Sequence, residues 1–401
     1  MLNNFKIPKK TSFRLRSLEV FPNTILSPMD GVTDAPFRRL CRVLSGDRMG
    51  LLVSEFVPTD GDAVFCLEGH KQLKFFPEER PFGVQIFGRY PDKMAAAARK
   101  IAESLHPDYI EVNAGCPAPK VAGKGSGSGL LRDLPRLREI LHDVRKALDE
   151  SGTDLPLTLK CRIGWDSECI NIMETLAIAE GEGVEMLTVH GRTRLQGYNG
   201  LADWDWIGKA AAAAKIPVIG NGDVNSVARA FDCIENYGVA GVAIGRGAMH
   251  NPWIFGQIAD AWEGKPAHVI TAAEALDVFK LYYGFKIEDG STDKGAEGRL
   301  KQLAARLCKG FCLDERREAC PEPAEGTRDE RGEGQGPGVE DVAMQVRQAL
   351  LSSSCAAELL DRAQSLKEGL AKDLVFDPDR LVNLNGAKET ELKFGDQFKG
   401  R

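Results

Sequence analysis

Missing from this chain are the signals of a membrane protein, a zinc module and a dinucleotide-binding open sheet. No apolar run approaches the roughly 20 residues needed to span a bilayer. The first residues carry Lys6, Lys9, Lys10, Arg14 and Arg16 without the continuous apolar stretch of a signal peptide, so the expected location is the cytoplasm. The ten cysteines include no CxxC pair. Nothing near Cys308 and Cys312 completes a metal set, so no metal is expected. Scattered thiols in a long, core-rich chain also argue against a disulfide framework. No GxGxxG follows the first strand pattern. Nor is there an excess of positive charge: the formal net charge is −6, which excludes a general basic coat but leaves room for a local basic face.

What is present is a repeat of short apolar run, polar or glycine loop and amphipathic helix. Strand candidates are Thr24–Met29, Leu51–Phe56, Phe82–Phe87, Tyr109–Val112, Leu157–Arg162, Met186–Val189, Pro217–Gly220 and Gly241–Ile244. Helical patterns lie between them, for example Pro91–Ser104, Leu134–Glu150, Asn171–Gly181 and Ser226–Tyr237. This alternation predicts an α/β fold, a parallel (β/α)8 TIM barrel over residues 24–262. A small all-helical C-terminal domain is expected over 270–370, with helices at Ala275–Lys286 and Gly298–Phe311 and helical periodicity again from Val342 to Leu370. The stretch Asp314–Glu340, rich in Glu, Arg, Gly and Pro, is predicted to be a loosely ordered insert. Residues 1–23 form a basic arm, to which the sequence assigns either RNA contact or no role, and 371–401 a tail without an assignment.

Chemistry in such a barrel gathers at the C-terminal strand ends, and the distinctive polar residues of this chain fall there. They are Pro28-Met29, Gln85, Asn113 followed by Gly115-Cys116-Pro117, Lys160 with Arg162, His190-Gly191-Arg192, Asn221-Gly222-Asp223 and Gly245-Arg246. Proline fixes its own backbone and restricts the residue before it. Cys116 is therefore either a buried structural thiol or a proton donor aimed at one atom of a substrate. Lys160 has a task in the site or pairs with a rim carboxylate. His190 contacts phosphate or substrate, or caps its strand. Glycine turns after the last two strands suit a phosphate. The amides of Gln85 and Asn113 suit the edge of a heterocycle, and with Lys160 they suit an isoalloxazine ring.

The segments SPMDGVTDAPFRRL, EVNAGCPAPKV with GSGLL, TVHGRT with YNG, PVIGNGDV and GVAIGRGA, in this order, strongly resemble the tRNA-dihydrouridine synthases from about Ile25 to Phe255. A weaker likeness covers Leu276–Phe311, where Tyr282, Tyr283, Gly284, Arg299, Lys301 and Lys309 resemble the family's helical tRNA-binding domain. The resemblance implies an FMN-dependent, NADPH-consuming reduction of uridine to 5,6-dihydrouridine in tRNA. Hydride would pass from flavin N5 to uracil carbon 6 and a proton from Cys116 to carbon 5. It implies that Pro28 and Met29 pack on the flavin and that Gln85 and Lys160 bind its ring. His190, Asn221, Gly222, Asp223, Gly245 and Arg246 would surround ribityl and phosphate. Asn113 would lie between flavin and uracil, and Arg192 would touch uracil. Lys120 and Lys124 would meet the RNA backbone, joined by Lys280, Lys286, Arg299, Lys301, Arg306 and Lys309. A target base must leave its stack to enter such a pocket. Two rivals stay open at this point: an FMN barrel acting on a small molecule, such as dihydroorotate dehydrogenase, and a non-catalytic RNA-binding protein.

Overall fold

The computed structural model describes residues 7–8, 12–46, 48–60, 70–266, 268, 270–308, 311–313, 339–369 and 374–376. Lys6, Lys9, Lys10, Lys309, nearly all of the 314–340 insert and most of the tail lie outside the described residues.

Strands β1 (Phe13–Leu15) and β2 (Leu18–Val20) pair as an antiparallel hairpin. The barrel strands follow: β3 (Thr24–Leu26), β4 (Leu52–Val53) with β5 (Val57–Pro58) further along the same neighbour, β6 (Phe82–Phe87), β7 (Tyr109–Ala114) and β8 (Leu157–Arg162). After β8 a short hairpin, β9 (Gly164–Asp166) and β10 (Cys169–Ile170), rises from the rim before β11 (Met186–His190), β12 (Val218–Asn221) and β13 (Gly241–Ile244). Pairing is parallel in the order β3-β13-β12-β11-β8-β7-β6-β4. The ring is closed by a parallel bridge between Ile25 and Leu51, where Leu26 N donates to Leu51 O (3.1 Å) and Leu51 N to Thr24 O (3.0 Å).

The outer helices are α1 (Ala35–Ser45), α2 (Pro91–Leu105), α3 (Pro119–Ala122), α4 (Leu134–Glu150), α5 (Ile172–Gly181), α6 (Trp204–Ala213), α7 (Val227–Tyr237), α8 (Arg246–His250) and α9 (Ile254–Trp262). Four of them start where a side-chain oxygen accepts an otherwise unpaired backbone N–H: Asp34, Asp133, Asp203 and Ser226. With helices outside and side chains inside, the strands are covered on both faces. They therefore read as near-continuous apolar runs rather than alternating ones.

The expected basic arm is in part a structural plug. Its residues 13–20 close the floor of the barrel: Phe13, Leu15 and Val20 pack with Ile25, Leu51, Val53, Tyr109, Met186, Ile219 and Ala243. Arg16, at the tip of the hairpin, pairs with Asp154 (2.7 Å) and Glu185 (2.8 Å) in the loops that enter β8 and β11. Leu15 is fully buried, so Leu15→Ala is expected to cost about 2–5 kcal/mol of stability in a denaturant titration. A loss below about 1 kcal/mol would mean that the hairpin is an appendage.

The chain divides into two compact units, residues 1–268 with 284–290, and residues 269–283 with 291–401. The second holds most of α10 (Ala272–Glu288), then α11 (Asp293–Leu307), α12 (Val339–Leu351) and α13 (Ala356–Glu368). It also holds what the expectation of helices alone did not include. Strands β14 (Ile270–Thr271), β15 (Phe311–Leu313) and β16 (Leu374–Phe376) form an antiparallel sheet with β16 in the middle. Strands of two or three residues are too short to show an alternating pattern, and their partners lie far apart in sequence. The pairing of Phe311 is also why the helix predicted to reach it ends at Leu307. Among the described residues no helix is long and apolar enough to cross a membrane.

A candidate active site at the barrel mouth

Side chains two apart on a strand share a face, and partners in a parallel pair point the same way. The ladders match Gln85 with Glu111, Asn113 with Lys160, and His190 with both Arg162 and Asn221. One inward face therefore gathers Gln85, Glu111, Asn113, Lys160, Arg162, His190 and Asn221, which would otherwise be apolar barrel filling.

Hydrogen bonds tie these residues together. The Asn113 side-chain oxygen accepts the backbone N–H groups of Gly115 and Cys116, both at 2.9 Å. Its amide nitrogen donates to Gln85 Oε1 (2.8 Å), and Gln85 Nε2 donates to Glu111 Oε2 (2.5 Å). Lys160 Nζ donates to Asn221 Oδ1 (3.1 Å), and Asn221 Nδ2 to Ala243 O (2.7 Å). The Cys116 loop has two further holds. Arg162 Nε reaches Gly115 O (2.8 Å) while its Nη1 holds Thr193 O and Gly197 O, and Ser128 Oγ donates to Cys116 O (2.8 Å). Cys116 keeps partial exposure above this frame.

Burial dominates the charges. It pushes the Cys116 thiol up from its ordinary value; the Ala118 backbone N–H, Arg162 and Lys120 only partly offset that, and Asp30 adds to it. The thiol is therefore a protonated group at neutral pH. Burial lowers the Lys160 amine to about 8 against the pull of Glu111, and raises the Glu111 carboxyl to about 7 against the pull of Lys160. His190 is held well below its ordinary value, first by burial and then by Arg162, Lys160, Arg192 and Arg246, so its imidazole is neutral.

On the other side of the mouth, Gly222 has φ +126°, and a Cβ there would lie 2.5 Å from the Ala202 Cβ, so only glycine fits. Asp223 accepts from Arg192 Nη2 (2.8 and 2.9 Å), Arg246 Nη2 (3.2 Å) and Ala202 N (2.8 Å). Met29 and Gly245 face each other across β3 and β13: a Cβ on Gly245 would meet Met29 Sδ at 3.4 Å. Pro28 is half-buried beside them. Arg192, expected at uracil, is turned inward instead. It is almost fully buried, with bonds to Asn199 O (3.3 Å), Gly200 O (2.6 Å) and His190 Nε2 (3.3 Å) besides Asp223. Lys120 and Lys124 are exposed next to the Cys116 loop, and Lys280 is exposed on α10. Lys286 is not available to a partner, being buried and paired with Asp34 at 2.9 Å.

The family model for dihydrouridine synthase matches residues 25–324. The chain belongs to the dihydrouridine synthase family. As a dihydrouridine synthase it is an oxidoreductase. Among its relatives, the probable tRNA-dihydrouridine synthase of Rickettsia conorii is 38% identical over 272 residues, 67% of this chain and 80% of that protein. tRNA-dihydrouridine synthase B of Pseudomonas putida is 43% identical over 236 residues, 59% of this chain and 67% of that protein. Probable tRNA-dihydrouridine synthase 1 of Synechocystis is 39% identical over 265 residues, 66% and 72% of the two chains.

Sequence reasoning missed three residues of this dihydrouridine synthase, Glu111, Trp165 and Tyr198, and gave a fourth, Arg162, no role. Glu111 lies in the same strand as Asn113, and the inward alternation of EVN was the available signal. Arg162 was noted at the rim without a task. Trp165 on β9 has the guanidinium groups of Arg132 and Arg194 at 4.9 and 4.7 Å from its ring, and Tyr198, half-exposed on the next loop, has those of Arg162 and Arg246 at 5.7 and 5.5 Å. Both are aromatics beside cations on the rim, a pattern that only the fold assembles.

Proposed function

We propose that this chain reduces uridines in tRNA to 5,6-dihydrouridine, using bound FMN and NADPH as reductant, with Cys116 as the acid. The observation that carries the reading is a protonated thiol on a backbone fixed from three sides, beside a half-buried lysine and two buried amides. The donor set fits a flavin mononucleotide. Lys160 is a half-buried cation suited to negative charge on the ring's pyrimidine end, and Gln85 and Asn113 supply amides for its edge. Arg246, the neutral His190 and the turns at Gly222 and Gly245 suit ribityl and phosphate. Asp223 would repel a phosphate were its carboxylate not already neutralised by Arg192, Arg246 and the Ala202 N–H. Pro28 and Met29 supply apolar cover.

Bound FMN, reduced by NADPH, would supply the hydride that reaches uracil carbon 6. Carbon 5 and oxygen 4 then hold the displaced electron pair, and Cys116 donates its proton to carbon 5. The thiolate left behind has the Arg162 guanidinium near it, the same cation that already favours the charged thiol, and it regains a proton from solvent. Asn113 orients this exchange by holding the Cys116 amide. Arg192 acts as a clasp that shapes the loop of Tyr198 rather than as a uracil contact. The RNA backbone would meet Lys120 and Lys124, with Lys280, Arg299, Lys301 and Arg306 of the C-terminal unit as further phosphate contacts.

The test is to map dihydrouridine in tRNA from a strain lacking this gene and to return that tRNA to the purified yellow protein with NADPH. The expected result is loss of the modification in the strain and its restoration in the tube. A colourless protein that takes up no flavin would overturn the reading in favour of an RNA-binding barrel. A flavoprotein that unmodified tRNA cannot reoxidise would overturn it in favour of a small-molecule substrate.

A further inference from the structure

An amide can be turned end for end, so a line of amides needs fixed groups at its ends to have one direction. At the upper end of the line described above stand the N–H groups of Gly115 and Cys116, which can only donate and therefore require the oxygen of Asn113. That leaves the Asn113 nitrogen for Gln85 Oε1, and hence the Gln85 nitrogen for whatever lies beyond. Beyond it is Glu111, 2% exposed, whose carboxylate oxygen accepts. No link of this line meets donor to donor. The three side chains in it, Gln85, Glu111 and Asn113, are buried, so a side-chain end left unpaired cannot turn to water, and the rest would have to rearrange.

We propose that Glu111 is a positioning residue for Cys116: its carboxylate accepts the Gln85 N–H left over at the lower end, anchors the Gln85 and Asn113 amides in that one direction and thereby holds the backbone beneath the thiol. Nothing in the Glu111 carboxylate touches the thiol; it acts through two intervening side chains. Its meaning for catalysis rests on Cys116 being the acid, whereas the hold on the backbone does not.

The two properties of Glu111, acceptor and charge, separate by substitution. Glu111→Met keeps the length and removes the acceptor. The Gln85 nitrogen then has no partner, and the line loses its lower end. Glu111→Gln can still present an oxygen to Gln85, with its new nitrogen toward the Thr158 hydroxyl that already contacts this carboxylate. Direction survives while the charge is lost.

Hydrogen exchange of the full-length protein, followed by peptide mass spectrometry, reads this without any turnover. In Glu111→Met the amides of Gly115 and Cys116 are expected to exchange about tenfold faster than in wild type. In Glu111→Gln they should keep wild-type protection, and Val218–Asn221 should be unchanged in both. Wild-type protection in Glu111→Met, or loosening in Glu111→Gln equal to that in Glu111→Met, would overturn the proposal. Should Glu111→Met fail to fold, Gln85→Met cuts the same line and must loosen the same two amides; full protection there would equally overturn it. In turnover, Glu111→Met should slow uracil reduction with flavin reduction by NADPH unchanged, and Glu111→Gln should recover part of the loss. A wild-type protein without turnover would defeat the functional reading and leave the exchange pattern to decide the positioning role by itself.

Discussion

Cys116→Ala is expected to give a yellow protein whose flavin NADPH reduces at the wild-type rate, while reduction of uracil in tRNA slows by roughly 10²–10⁴, the usual contribution of a placed general acid. The substitution is small, and the loop does not depend on the sulfur. Asn113 holds the N–H of residue 116, Ser128 holds its carbonyl and Arg162 holds the carbonyl before it. A loss of rate would therefore report the missing proton and not a displaced loop. The pH dependence adds a second check. Burial raises the thiol's pKa, so wild-type turnover should hold through neutral pH and fall only in the alkaline range, as the thiol loses the proton it must give. That alkaline limb should vanish in Cys116→Ala. Stopped-flow absorbance of the flavin separates the two half-reactions, and unchanged reoxidation by tRNA would remove Cys116 from the acid role.

Lys160→Met is expected to weaken flavin retention by about ten- to a hundredfold, the scale of one hydrogen bond from a charged donor. The amine sits on the inward face, bonded to Asn221 Oδ1 and attracted by Glu111. Burial has already brought it down to about 8, so it remains mostly charged at neutral pH but gains from any further anion brought near. Its removal would leave the Asn221 oxygen without this donor and Glu111 without its opposing charge, so the carboxyl would move up further from about 7. Equilibrium dialysis against FMN measures retention, and the rate of flavin reduction by NADPH measures the ring's electronics. Wild-type values for both would refute the assignment of Lys160 to the ring.

The barrel was legible because strands covered on both faces leave long apolar runs, and because polar residues interrupt those runs only where they turn inward. Phe82–Phe87 and Leu157–Arg162 fall at the bounds the sequence suggests for this reason. Glu111 was hard to read: a carboxylate within YIEVNA looks like any residue on the wet face of a strand until the ring closes and turns that face inward. The pairing of Arg192 was hidden for a different reason. Its neighbour in sequence is the site residue His190, but its partner is Asp223, 31 positions away, a pairing that only the loop after β11 creates. In the N-terminal arm, five basic residues outweighed Phe13, Leu15 and Val20, whose partners lie across the whole barrel. The C-terminal sheet was hidden by strand length.

The ring's closure has a consequence for synthesis on the ribosome. Thr24, among the first barrel residues made, pairs with Val242, so the first strand has one flank unmated until the eighth has emerged. Until then Phe13, Leu15 and Val20 have only an incomplete ring beneath which to shelter, and a nascent chain stalled before Gly241 would present a sticky edge and an uncovered plug. Expression of fragments ending before and after Ile244 should therefore differ sharply in soluble yield, the cell's chaperones bearing the burden of the shorter ones.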